Sequence, residues 1–223
     1  SRGVMGIEGA FDARLRDAAQ RGVPLPLSID ARAQGVLESE LGAAVFNLEA
    51  IGGAGVILDV QSGEILAMAS LPTFNPNKVG ETALAARRNA MTHNLYELGS
   101  TFKPLTVAAA IDAGTVTDMA RRYDATAPVA IAGFQIRDVH PQRRWLNVPE
   151  TLVHSSNIVT ARISDDLGIA RMQQLMEALE FRNRPHIEIK ERAKPIWPKS
   201  WGRLTNMTVG FGHGIAVTPL HLA

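Results

Sequence analysis

Ser100 and Lys103, in the run Gly99-Ser100-Thr101-Phe102-Lys103-Pro104, are spaced to act as a nucleophile and its base. A serine hydroxyl attacks poorly unless a base takes its proton. On a helix, residues three apart share a face, so these two side chains can touch. The lysine must also be neutral near pH 7, and burial in an apolar helix beside the positive end of its dipole pushes its pKa that way. The residues that follow, Leu105 to Ala113, are apolar enough for a buried helix, with Gly114 as its stop and Pro104 tolerable only near the first turn. The helix is therefore expected to begin close to Ser100. Alone, S-x-x-K is a weak signal, because a surface serine near a solvated lysine gives the same spacing.

A second polar element, Ser155-Ser156-Asn157, suits the same chemistry. A hydroxyl and a carboxamide on a turn can face the nucleophile across a cleft. The hydroxyl can pass a proton between the lysine and a leaving amine, and the carboxamide can hold a substrate amide. The two elements in this order carry far more weight than either does alone.

The elements that must position these residues can be read along the chain. Residues Glu8 to Arg21 predict a short helix, and Arg21 to Pro26 an extended connector. Ser28 or Asp30 can cap a longer helix in which Ala33, Val36, Leu37, Leu41, Ala44, Val45 and Leu48 recur at helical spacing, packed on a sheet. Gly55 to Val60 and Glu64 to Ser70, around Gln61-Ser62-Gly63, predict a β-hairpin. Leu71 to Val79 reads as turns, and Thr82 to Asn94 as a helix or loop leading to Ser100. Thr115 to Trp145 is irregular, with strands possible at Pro128 to Ala132 and Phe134 to Asp138. Asn147 caps a helix broken by the Ser155 turn, and Ile158 to Leu167 and Arg171 to Leu179 predict two more helices separated by Gly168. Asp165-Asp166 reads as a solvated face, Arg182 to Pro198 as a loop, and Val217-Thr218-Pro219-Leu220 as a helix start.

Composition narrows the function. In 223 residues, 23 Lys and Arg balance 22 Asp and Glu, a net charge of +1, so no polyanion-binding surface follows and no nucleic-acid partner is expected. With no cysteine there is no disulfide or thiolate metal site. The histidines, His93, His140, His154, His186, His213 and His221, show no metal-binding spacing and read as packing or surface residues. No run of about 18 uninterrupted apolar residues spans a membrane.

On Gly63 to Pro72, Asn75-Pro76-Asn77, Tyr96-Glu97-Leu98-Gly99-Ser100-Thr101-Phe102-Lys103-Pro104, His154-Ser155-Ser156-Asn157 and Gly210-Phe211-Gly212-His213-Gly214 to Thr218-Pro219-Leu220, the chain resembles the class B penicillin-binding proteins, in particular the division-type septal peptidoglycan D,D-transpeptidases. The resemblance runs from about Gly6 to Ala223. It implies an α+β, layered fold of the penicillin-binding transpeptidase and serine β-lactamase type, an antiparallel sheet flanked by helices. Residues 1–27 would be the remnant of an N-terminal non-catalytic or linker region and 28–223 the transpeptidase domain. It further implies that Ser100 attacks the D-Ala-D-Ala carbonyl of a peptidoglycan stem peptide with Lys103 as base, that Ser155 and Asn157 line the cleft, and that the Ser100 backbone N–H gives half of an oxyanion hole. Neither a metal nor an organic cofactor is implied. The implied partners are stem peptides on lipid II-derived glycan strands, β-lactam antibiotics and septal division proteins. The implied location is the periplasmic face of a bacterial inner membrane, with an N-terminal transmembrane anchor outside this sequence.

The family's third motif, K-[ST]-G, is expected on a strand after the Gly-Phe-Gly-His-Gly region. None of Lys78, Lys103, Lys190, Lys194 and Lys199 carries it; Lys199-Ser200-Trp201 comes nearest. The sheet is therefore expected to lack C-terminal strands within these 223 residues, and acylation by this polypeptide alone to be slow. Three alternatives remain. A β-lactamase would hydrolyse nitrocefin with turnover, although no E-x-x-L-N element is present. A D-Ala-D-Ala carboxypeptidase shares the chemistry but usually not the Y-E-x-G-S-x-F-K block. A non-catalytic penicillin-binding-like module would be indifferent to Ser100→Ala.

Overall fold

The computed structural model describes residues 2–223, apart from the side chains of Asn77, Val79 and Ala85, so the Asn77 side chain in the Asn-Pro-Asn motif lies outside what is described. The chain divides into two compact units. The first runs to Leu95 and takes in Arg184–Lys194 and Thr218–Ala223; the second comprises Tyr96–Asn183 and Pro195–Val217. No helix among the described residues is long and apolar enough to cross a membrane.

In the first unit, the expected N-terminal helix is two short ones, α1 (Gly6–Ala10) and α2 (Asp12–Arg16), followed by a 3-10 turn at Ala18–Gln20. Helix α3 (Ala31–Asn47) starts where Asp30 accepts from the amides of Arg32 and Ala33, so Asp30 supplies the cap. Ser28, the other candidate cap, donates instead to the carbonyl of Ile65. Strands β1 (Gly53–Leu58) and β2 (Ile65–Leu71) form the predicted antiparallel hairpin, paired from Gly53↔Leu71 to Leu58↔Ile65 with an irregularity at Ile57/Leu58. The turn between them is closed by Asp59, whose carboxylate accepts from the amides of Gln61 and Ser62.

Leu37, Leu41 and Val45 of α3 lie over Gly53 and Gly55, close enough that a Cβ at either glycine would meet their methyl groups at 2.9–3.0 Å. The seven-residue stripe read from the sequence is narrower in the fold. Ala33, Leu37, Leu41 and Val45 are half-buried, whereas Val36, Ala44 and Leu48 face solvent. Of the apolar residues, the i, i+4 row packs on the strands, because a two-stranded hairpin presents one narrow face, and beside it Gln34 exchanges two hydrogen bonds with the backbone of Met68. Short helix α4 (Ala90–His93) follows, and a last helical turn covers Pro219–Leu222.

The second unit is built around α5 (Lys103–Asp112), α7 (Asn157–Leu167) and α9 (Arg203–Gly210). Between α5 and α7 come two small antiparallel pairs, β3 (Arg122–Asp124) with β6 (Trp145–Asn147) and β4 (Val129–Ile131) with β5 (Phe134–Ile136). The β4–β5 hairpin falls within the predicted strands. The β3–β6 pair and α9 were not read from the sequence; β3 and β6 are only three residues each, below the length at which alternation shows. Asn147 caps α6 (Val148–Val153) in a reciprocal box with Glu150. Ser156 caps α7, and α8 (Ile169–Ala178) follows Gly168. Asp165 and Asp166 are not simply solvated: they pair with Arg203 and Arg121.

Apolar burial holds these helices together. Val107, Ala110, Leu146, Val159 and Ile163 form one cluster, and Phe102, Met172, Met176, Phe181 and Val209 a second. Polar groups lock α7 to α9: Ser164 Oγ donates to the Asn206 carbonyl and Asn206 Nδ2 to the Ser164 carbonyl, both at 2.7 Å. Thr106 of α5 donates to the Gly210 carbonyl at 2.7 Å.

Candidate active site

Ser100 sits on a 3-10 turn, Gly99–Phe102, that runs directly into α5, so the helix begins close to the serine as the sequence predicts. Lys103 is the first residue of α5 and is 1% exposed. Ser155 lies between α6 and α7 with φ +52°, in the left-handed region that a residue with a Cβ seldom adopts. Asn157 opens α7. Three separate elements thus bring together the four residues singled out in the sequence.

Their connection differs from the expected direct serine–lysine contact. Lys103 Nζ donates to Ser155 Oγ at 2.8 Å and also to the Ser155 carbonyl, and Ser155 Oγ is 2.9 Å from Ser100 Oγ. The link from Ser100 to Lys103 therefore runs through Ser155, because the buried ammonium takes both oxygens of that residue. Burial also pushes the Lys103 pKa down to about 8, with Asp138 opposing it. Asn157 Nδ2 donates to the Arg137 carbonyl at 3.0 Å, which fixes the carboxamide beside the turn.

Ser100, Ser155 and Asn157 open into one cavity of about 240 Å³, whose lining also includes His140, His154 and His213. These histidines read as packing or surface residues in the sequence; the fold gives them a place around Ser100. His154 lies 3.4 Å from Arg144, and Arg144 pairs with Glu150. His213 Nδ1 is 2.6 Å from Glu97 Oε2, and Glu97 Oε1 accepts from the Gly214 amide at 2.8 Å. That amide, and then His213, hold the Glu97 carboxyl below the usual carboxylate range.

The same segment is laced to the Ser100 turn by backbone bonds. Tyr96 and Val217 exchange both of theirs, and the Gly99 amide donates to the Gly212 carbonyl at 3.0 Å. A Cβ at Gly212 would stand 2.1 Å from the Gly99 carbonyl oxygen, so only glycine permits this approach. The two sequence blocks Tyr96–Gly99 and Gly210–Gly214 therefore form one support for Ser100.

Sequence reasoning missed Asp138. Its carboxylate accepts from Ser156 Oγ at 2.9 and 3.0 Å and from the Ile158 amide at 2.9 Å, inside the fold. A lone acid at the end of a predicted strand gives no signal that it will meet a turn 18 residues later. Among the described residues, no group of three or more His, Cys, Asp or Glu side chains is placed to hold a metal ion.

Residues 53–223 match the family described as the penicillin binding protein transpeptidase domain. The chain belongs to that family. A "Probable peptidoglycan D,D-transpeptidase FtsI" of Caulobacter vibrioides is 39% identical over the whole of this chain and 38% of its own length. The "Peptidoglycan D,D-transpeptidase FtsI" of Escherichia coli K12 is 32% identical over 89% of this chain and 34% of its own. A "Probable peptidoglycan D,D-transpeptidase PenA" of Neisseria gonorrhoeae is 33% identical over 97% of this chain and 37% of its own. The chain thus spans little more than a third of the length of these curated relatives. Among solved structures, the crystal structure titled as a peptidoglycan glycosyltransferase from Burkholderia ambifaria aligns with a TM-score of 0.78 at 28% identity, over 89% of this chain and 59% of its own. The α+β penicillin-binding transpeptidase fold expected from the sequence is therefore the fold of this chain.

Proposed function

We propose that this protein is a serine D,D-transpeptidase of septal peptidoglycan synthesis, with Ser100 as nucleophile, Lys103 as general base, Ser155 as proton relay and Asn157 as a contact for the substrate amide. The observation that carries this reading is the continuous path Lys103 Nζ, Ser155 Oγ, Ser100 Oγ, opening into one cavity. With its pKa near 8, about one Lys103 in ten is neutral at pH 7, against about one in three thousand for a solvated lysine.

In the acylation step, Ser100 Oγ bonds to the carbonyl carbon of the penultimate D-alanine while its proton passes to Ser155 Oγ, and the Ser155 proton passes to Lys103 Nζ. The C–N bond then breaks. The departing D-alanine amine takes a proton back along the same path, leaving an ester on Ser100. An amine of a neighbouring stem attacks that ester, sheds its proton by the same route and frees Ser100, so atoms and charges balance without a cofactor. A β-lactam ring would acylate Ser100 in the same way. The cavity's hydroxyls, carboxamide and imidazoles suit acyl transfer, whereas sugar chemistry calls on paired carboxylates.

By the same reading, residues 28–223 belong to the transpeptidase domain and 1–27 to the region that precedes it. The substrates are stem peptides of lipid II-derived strands, the protein works at the periplasmic face of the inner membrane, and septal division proteins are its partners. The test is incubation of the purified protein with a fluorescent penicillin, followed by peptide mass mapping and a nitrocefin assay. The expected outcome is one label on Ser100, absent in Ser100→Ala, with no multiple-turnover hydrolysis. Label elsewhere, or sustained nitrocefin turnover, would overturn it.

A further inference from the structure

Asp138 is 8% exposed and is committed to one small piece of backbone. Both of its oxygens take the Ser156 hydroxyl, and Oδ1 also takes the Ile158 amide. Ser156 Oγ in turn accepts from the Val159 amide at 3.1 Å, the cap that starts α7. The residue immediately before this cap is Ser155, whose φ of +52° costs free energy and must be imposed by its surroundings. On the other side, the Ser155 amide donates to Leu152 and the Ser156 amide to Thr151, which closes α6. The turn is thus held by backbone bonds from α6 on one side and, on the α7 side, by Asp138 accepting from Ser156 and Ile158.

We propose that Asp138 is a positioning residue for acyl transfer: its buried carboxylate pins the start of α7 and so holds the strained Ser155 turn with its hydroxyl between Ser100 and Lys103. This rests on the acyl-transfer reading above and adds a residue that does not touch the reacting atoms. A carboxylate suits the task better than a neutral acceptor. It accepts at two oxygens at once, its bonds are strengthened by charge, and the dipole of α7 favours an anion at its N-terminus. Its charge has a second effect, since it raises the Lys103 pKa against the burial that lowers it. The other titratable groups around the cavity are His140, His154 and His213.

The experiment compares wild type with Asp138→Asn and Ser156→Ala in two readouts: the rate constant and final extent of fluorescent-penicillin acylation across pH, and the titration of the Lys103 ε-methylene by carbon NMR. In Asp138→Asn the acylation rate constant is expected to fall about 10- to 100-fold, the loss typical of sub-ångström misplacement near a reacting centre, and the Lys103 titration to move to lower pH. Ser156→Ala keeps the charge, so its rate constant is expected to fall while the Lys103 titration stays. A lower final extent of labelling at an unchanged rate constant and unchanged titration, in Asp138→Asn, would mean only less folded protein and would overturn the positioning role. Should wild type fail to label at Ser100, the acyl-transfer reading falls, and the NMR titration alone then decides whether Asp138 acts on Lys103.

Discussion

Helices α3 and α7 illustrate opposite ways of placing a helix. Helix α3 has 17 residues and many apolar side chains, yet none of its residues is buried; Val36 is 61% exposed and Phe46 82%. Helix α7 is shorter and carries Thr160, Ser164 and two aspartates, yet Ile158 to Ala161, Ile163, Ser164 and Leu167 are all buried. The difference lies in what each helix packs on. Helix α3 covers one face of a two-stranded hairpin whose glycines let a single row of side chains approach. Helix α7 lies among α5, α8 and α9, and its two fully buried polar residues each have a partner: Thr160 donates to the Ser156 carbonyl and Ser164 to that of Asn206. Hydrophobicity alone therefore does not rank burial in this protein. The proposed chemistry lies beside the element whose buried polar groups are fixed.

The largest expected effect comes from Lys103, a buried group of the second unit whose charge is disfavoured. Folding lowers the Lys103 pKa from 10.5 to about 8. Below pH 8 both folded and unfolded states carry the ammonium, and the folded state bears the full cost of burying it. Between pH 8 and 10.5 the folded state has released its proton while the unfolded state still holds it, so stability rises with pH across that window. At 1.36 kcal/mol per unit, the rise amounts to at most about 3 kcal/mol. Chemical denaturation of wild type and Lys103→Met from pH 7 to 11 measures it, because other groups cancel in the difference. A difference that is flat, or that falls with pH, would show that the ammonium is not buried at a cost.

The second effect tests how closely α7 and α9 are interlocked. A Cβ on Gly210 would come within 2.5 Å of Ser164 Cβ and 2.8 Å of its hydroxyl. Gly210→Ala is therefore expected to destabilise by about 1–3 kcal/mol, despite the better helix propensity of alanine. Adding Ser164→Gly removes the opposing atoms, and urea melts of the pair should recover part of the loss. If Gly210→Ala is neutral, the two helices are not in the close contact that distinguishes α7 from α3.

This contrast also explains what was legible in the sequence. Local signals carried well: Asp30 and Asn147 as caps, the β1–β2 and β4–β5 hairpins, and a helix beginning beside Ser100. Each depends on residues a few positions apart, where side chain and backbone must meet whatever the rest of the chain does. Ser100, Lys103, Ser155 and Asn157, the residues of the proposed site, could be singled out because the family's motifs mark them, and the fold brings them together. Their wiring was not, since whether Lys103 reaches Ser100 or Ser155 depends on where the α6–α7 turn lands in space. Asp138 and the Glu97–His213 pair were invisible as partners for the same reason: they join segments 18 and 116 residues apart. The periodicity of α3 was real as a helix signal but overstated burial, because a helix can offer more apolar surface than its sheet can cover.

The smallest effect falls on that excess surface. Leu41 lies over Gly53 and is half-buried, so Leu41→Ala is expected to cost about 1–2 kcal/mol, less than a fully buried leucine would. Val36→Ser, on the face turned to solvent, is expected to change stability by no more than about 0.5 kcal/mol. Both values come from thermal or urea melts of single variants, and their ratio matters more than either. If Val36→Ser proves as costly as Leu41→Ala, something covers the outer face of α3 in solution, and the difference from α7 would be one of partner rather than of packing. A large gap between the two would place the helix as a one-sided cover for the hairpin, held by its Leu37, Leu41 and Val45 row and by the Asp30 cap.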